Sequence, residues 1–202
     1  MKRISKVLSV IMLCALMLLL AACGSGENAT FTHGSVGSSS YSNSFLGLSI
    51  SFDSDWTMTS DKELASMNGI SDMSAANVQT AFDKNSTLQE MMASKADGTS
   101  INIVVQDTSK TGKMKEDEYF TSGLDLIKMQ LEATGATVNI KADTVMFLGS
   151  SARAINVEMS MSGVTVYMYQ IPIFKGNYIS SVTVGSLNKA DLSSLLAMFK
   201  AS

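Results

Sequence analysis

From Leu46 onward the apolar positions recur with two periods. Leu46, Leu48, Ile50 and Phe52 alternate with Gly47, Ser49 and Ser51, the period-two pattern of a half-buried strand. Asp53-Ser54-Asp55 reads as a turn before Trp56. Ser60-Asp61-Lys62-Glu63 has capping-box spacing and opens a short helix that Asn68-Gly69 ends. A second helix is expected over Ser74 to Lys84, with Ala76, Val78, Ala81 and Phe82 apolar. Leu88 to Ser94 predicts a strand, and Asp97-Gly98 turns it into a return strand through Ile101, Ile103 and Val105, with Val104 facing the other way.

A polar loop, Lys110 to Lys115, precedes the clearest helix of the chain, expected from Lys115 to Thr134 and stopped by Gly135. Phe120, Leu124, Ile127 and Leu131 form its apolar stripe, while Glu116, Asp117 and Glu118 sit in its first turn, where the helix dipole favours negative charge. Short strands are expected over Val138 to Lys141 and Thr144 to Leu148, then longer ones over Ala152 to Met161, Val164 to Phe174 and Tyr178 to Val184. Pro172 cannot donate to a ladder and marks an edge or bulge. Asp191 to Lys200 is read as a closing helix with Leu192, Leu195, Leu196 and Phe199 on one face. Strands with inserted helices and no regular alternation predict an α+β fold, a twisted antiparallel β-sheet of roughly six strands flanked by the long and terminal helices.

The first 44 residues follow neither period. Lys2, Arg3 and Lys6 precede the uncharged apolar run Val7 to Leu20, and Leu20-Ala21-Ala22-Cys23 closes the segment. A helix over that run rises about 21 Å, short of the roughly 30 Å hydrocarbon core, which favours an export signal over a spanning helix. Leu20-Ala21-Ala22-Cys23 resembles the lipobox of bacterial lipoproteins. That resemblance implies a signal peptide over 1–22, diacylglycerol on the Cys23 sulfur, and a protein lipid-anchored to the extracytoplasmic face of a bacterial cell membrane. Residues 23–44 then read as the lipidated cysteine and a flexible tether, since Gly24 to Ser44 is rich in Gly, Ser, Thr and Asn. His33, the one histidine, falls there as a solvated side chain, and a single α+β domain is expected over 45–202.

Tyr41-Ser42-Asn43-Ser44-Phe45-Leu46-Gly47-Leu48-Ser49-Ile50-Ser51-Phe52, followed by Trp56, resembles the opening motif of the Mog/PsbP-like family, with Asp53 where that family has proline. Gly176-Asn177-Tyr178 before a strand and final helix is similar too. The likeness spans most of 41–202 and implies an α/β/α sandwich. It carries over no catalytic residue, and implies a binding or assembly module.

Composition narrows the chemistry by exclusion. Of 202 residues 46% are apolar, and a net charge of −3 gives no footprint for nucleic acid. Loss of Lys2, Arg3 and Lys6 with the signal leaves twelve basic residues against eighteen acidic, net −6, a sign repelled by anionic lipid. Cys14 leaves with the signal and Cys23 is consumed by lipid, so no thiol nucleophile remains. With His33 in the tether, Ser-His-Asp and Cys-His arrangements are unavailable; a Ser–Lys pair is the one nucleophile system left, and no Ser-x-x-Lys stands at a suitable junction. Asp53 and Asp55 read as an Asx turn rather than a Ca²⁺ site.

The twelve methionines outside the signal are unusual. Met91-Met92, Met159, Met161 and Met168 could offer thioethers to a soft metal or form an adaptable binding surface. Core packing is favoured, because Met159 and Met161 share a strand face with Ile155 and Val157. Tyr167, Tyr169 and Tyr178 suggest either a contact ladder or cross-strand packing. The expectation is a non-enzymatic module without metal or cofactor. It would bind an envelope protein or, alternatively, a small apolar ligand on a Met/aromatic surface; a histidine-free hydrolase is the remaining alternative.

Overall fold

The computed structural model describes residues 30–202. The proposed signal peptide and Cys23 lie outside them. The fold is α+β, built on two antiparallel sheets. The smaller contains β1 (Ser35–Val36), β2 (Ser40–Asn43), β3 (Leu48–Ser51) and β11 (Phe199–Ala201), in that order. The larger runs β4-β5-β6-β10-β9-β8-β7, with β4 Thr57–Met58, β5 Thr87–Ser94, β6 Ser100–Asp107, β7 Thr137–Phe147, β8 Ser150–Met161, β9 Val164–Lys175 and β10 Tyr178–Ser186. Helices α1 (Asp61–Met67), α2 (Ala75–Asn85), α3 (Glu116–Glu132) and α4 (Leu192–Ala197) complete it.

Alternation assigns the two faces of the large sheet. Ile101, Ile103 and Val105 of β6, with Val182 and Val184 of β10, join a core shared with α1, α2, α4 and the small sheet. The opposite face buries Ile155, Val157 and Met159 of β8 and Val166 and Met168 of β9 under Phe120, Ile127 and Leu131 of α3. Each fully buried aliphatic side chain of this kind contributes about 1.5–3 kcal/mol. Met91, Met159 and Met168 are therefore core residues, at 1%, 1% and 2% exposure.

Four expectations are corrected. Residues 30–44 are not a free tether: β2 alternates exposed Ser40 and Ser42 with buried Tyr41 and Asn43, and Phe31 is 3% exposed. Their small polar residues occupy strands and a tight turn, where Gly37 N–H donates to Ser40 O at 2.7 Å. The domain thus includes residues 30–44, ahead of the expected start at 45. The two short strands expected after α3 are one continuous β7, paired with β8 from Thr137 to Phe147. The terminal helix stops at Ala197, and Phe199 instead opens β11, opposite Ile50 of β3. The expected single sheet of about six strands is two sheets, because β2, β3 and β11 pair separately.

Pro172 finds an edge within an interior strand. Pairing of β9 with β8 ends at Gln170, so Pro172 has only Ser181 of β10 as a ladder neighbour.

Candidate functional site

Two places have the geometry of a site. The first is centred on Glu90 of β5, a carboxylate with no exposed surface. Gln89 pairs with Val104 and Met91 with Ile103, so Glu90 is the extra residue of a β-bulge. The bulge is held by Asn68, at the end of α1: its Nδ2 donates to Gln89 O at 2.9 Å and its Oδ1 accepts from Gln89 N–H at 2.7 Å. One side-chain amide thereby substitutes for a strand neighbour. The bulge turns Glu90 toward the small sheet, where Oε1 accepts from Gly34 N–H (2.7 Å), Tyr41 O–H (2.7 Å) and Asn43 Nδ2 (2.9 Å).

His33 closes the other side. Its Nδ1 lies 2.8 Å from Glu90 Oε2 and its Nε2 3.2 Å from Asp61 Oδ1, the first residue of α1. Burial opposes protonation of His33, but the hydrogen bonds and charges of Glu90 and Asp61 outweigh it and raise its pKa above the usual imidazole value. Burial first, then the Glu90 charge, pushes the Tyr41 phenol far above its ordinary range. Gly34 is required here, since a Cβ would stand 2.5 Å from Ser42 O and 2.7 Å from the Tyr41 ring.

The sequence reading of His33 as a solvated tether residue is therefore wrong, and so is the exclusion built on it. A histidine is inside the fold, with a carboxylate at each ring nitrogen. That geometry still leaves neither nitrogen free to serve a serine, and the three donors on Oε1 fill the Glu90 side. What the cluster does chemically is pin the N-terminal segment. Phe31 completes the attachment, its ring 5.2, 5.7 and 5.8 Å from those of Phe45, Phe82 and Tyr178.

The second place is a half-open groove of about 700 Å³. Val145 and Met146 of β7, Leu148, Tyr169 of β9, Leu196 of α4 and Phe199 of β11 supply its apolar surface, and Thr144, Ser193 and Lys200 add polar groups to the lining. Both β7 and β11 are terminal strands of their sheets, so the groove is bordered by two sheet edges. Met146 is 65% exposed, among the largest uncovered apolar side chains described. Leu148 holds a left-handed backbone at φ +50°, beside Gly149 at +77°, in the tight β7–β8 turn. At the polar rim Asp143 accepts from Tyr169 O–H (3.3 Å) and Asn156 Nδ2 (3.1 Å). The Thr144 N–H, then Asn156, hold the Asp143 carboxyl below the usual range.

Other residues singled out by sequence fall into structural roles. Asp55 N–H donates to Asp53 Oδ1 at 3.0 Å, an Asx turn, and both carboxylates face Lys95. Glu116 and Asp117 pair with Arg153 at 3.6 and 2.7 Å, and that guanidinium lies over the Phe120 ring. Tyr167 and Tyr169 share a face of β9, but Tyr178 lies at the far end of β10 opposite Lys175, so the three form no ladder. Among the described residues no group of three or more His, Cys, Asp or Glu is placed to hold a metal ion. Glu90 was missed by sequence reasoning. Its signal was the broken alternation in Leu88-Gln89-Glu90-Met91, which puts a charge at an inward position.

No protein-family model matches the chain, and no curated protein matches it.

Proposed function

We propose that this chain is a lipid-anchored, extracytoplasmic binding module of a bacterial envelope, non-enzymatic, which takes an extended segment of a partner envelope protein in the β7–β11 groove. The observation that carries this reading is the groove itself: a hollow with an apolar patch of Val145, Met146, Leu196 and Phe199 between two terminal strands. An extended peptide gains main-chain hydrogen bonds from a free edge, and its alternate side chains reach that patch. The ordered basic, apolar and small-small-Cys pattern of residues 1–23 supports the anchor.

A photo-crosslinking residue in place of Met146, in the full chain in its own membranes, tests the partner. A discrete protein adduct that the same residue at Met129 does not form is expected; identical products from both positions overturn the reading. Cys23→Ser tests the anchor, with loss of lipid labelling and accumulation of precursor expected. Normal processing and labelling of that variant would defeat it.

A second reading, capture of a small apolar ligand, is favoured by the Met146, Leu196 and Phe199 lining. It expects a discrete apolar compound in solvent extracts of the purified protein, and an extract identical to that of Met146→Asp counts against it.

A further inference from the structure

We infer that the end of the domain where the described chain begins lies against the membrane, its lysines engaging an anionic bilayer surface. The inference rests on the anchor proposed above. With residues 30–44 folded into the domain, only residues 24–30 separate Cys23 from Phe31. Seven residues span at most about 25 Å even when fully extended. A domain so short of slack presents to the bilayer the end that holds Phe31.

That end carries a local charge opposite to the whole. The Phe31 ring packs on Phe82 of α2, on Phe45 and on Tyr178 at the start of β10. Beside Tyr178, Lys113 and Lys175 line a hollow of about 270 Å³. Lys175 Nζ donates to Phe45 O at 2.6 Å and lies over the Phe45 ring. Thr108 binds Asn177 O through both N–H (2.7 Å) and O–H (2.6 Å), which ties the Lys110–Lys113 loop to the β9–β10 turn. Lys110 Nζ donates to Asp83 O at 2.9 Å, on the last turn of α2, where Lys84 is exposed.

Four lysines, 84, 110, 113 and 175, thus gather around the first described residues. The acidic groups among them are Asp83, which pairs with Lys110 at 3.8 Å, and Asp107, which is buried and accepts from Ser109 N–H. Asp61, the first residue of α1, faces His33. Lys84 and Lys113 make no ion pair among the described residues. Their charge is available to lipid phosphates, and it is placed where a net −6 chain otherwise offers repulsion.

The test uses the full chain, purified from its membranes and reconstituted into vesicles of 70% phosphatidylcholine and 30% phosphatidylglycerol carrying a headgroup quencher. An environment-sensitive fluorophore is placed at Thr111→Cys or, on the β5–β6 turn at the opposite end of the large sheet, at Ala96→Cys, an exposed position. Flotation with the vesicles reads the anchor and quenching reads the orientation, so the two failures are distinct. Quenching at 111 is expected to exceed that at 96 by about threefold, and to fall in pure phosphatidylcholine or at high salt. The pair Lys84→Glu and Lys113→Glu, positions without an ion pair among the described residues, is expected to bring 111 down to the level of 96. Equal quenching at the two positions, or a difference indifferent to phosphatidylglycerol and to the lysine variants, overturns the inference. A chain that does not float with the vesicles removes the anchor and this inference with it.

Discussion

The Glu90 cluster and the β7–β11 groove occupy the same domain and differ in almost every physical respect. Glu90 is fully buried, yet its oxygens receive Gly34, Tyr41, Asn43 and His33. The groove is half-open, with an apolar patch beside polar lining residues, and is bordered by strands that end their sheets. A buried carboxylate with its lone pairs filled has no capacity left for a ligand; an open groove between two terminal strands still has room for one. The catalytic-looking set of Glu, His and Asp is thus the latch, and the open groove is where the proposed partner would bind. A close set of titratable groups is evidence of function only when something can still reach it.

The comparison breaks most readily at Glu90. Glu90→Leu leaves four donors facing an apolar side chain, and a loss of about 3–5 kcal/mol is expected by denaturant unfolding. A loss below about 1 kcal/mol would mean that the cluster does not hold the segment. Phe31→Ala removes the aromatic half of the same attachment and should cost about 3 kcal/mol. Its proteolytic signature is cleavage within residues 30–40 before global unfolding, and uniform resistance there would contradict the latch.

His33 sharpens the contrast through pH. Its folded-state pKa lies above the unfolded value of 6.5, so the stabilisation is fully present below that pH and is lost as pH rises through the folded value. As His33 is the chain's only histidine, the effect has one source. Relative to His33→Gln, the wild-type unfolding midpoint should fall as pH rises above 6.5 and passes through the raised folded-state value. Parallel profiles for the two proteins would show that the imidazole is not coupled to folding.

The smallest stability effect belongs to the groove. Met146→Asp is expected to alter stability by less than about 0.5 kcal/mol, since Met146 is 65% exposed. Partner capture should be lost nonetheless. A variant that is destabilised but still captures would reverse the roles assigned to the two regions.

Much of the fold was legible because its signals are local. The capping box at Ser60 and Glu63 forms as its spacing implies, with Glu63 Oε2 2.9 Å from Ser60 N. Helix α2 follows Ser74, and α3 keeps the stripe through Phe120, Ile127 and Leu131. The candidate site was far less legible. Residues 30–44 resemble a linker in composition, and only pairing with β3 and burial of Tyr41 make them part of the domain. Glu90 finds its partners 47 to 57 residues away in sequence, beyond the reach of any periodicity. The groove arises because Phe199, read as the last turn of a helix, instead pairs with Ile50 and brings β11 close to β7.

What the amino-acid sequence alone determined here is the α+β class, most strand and helix positions, and the burial of methionine and aliphatic faces. Each follows from spacing within a few turns or pleats of the same segment. The tertiary structure decided that residues 30–44 belong to the domain, that the single histidine is enclosed between two carboxylates, and that two sheet edges meet at an open groove. Those outcomes depend on which distant strands pair, a choice made by the packing of the whole chain rather than by any stretch of it.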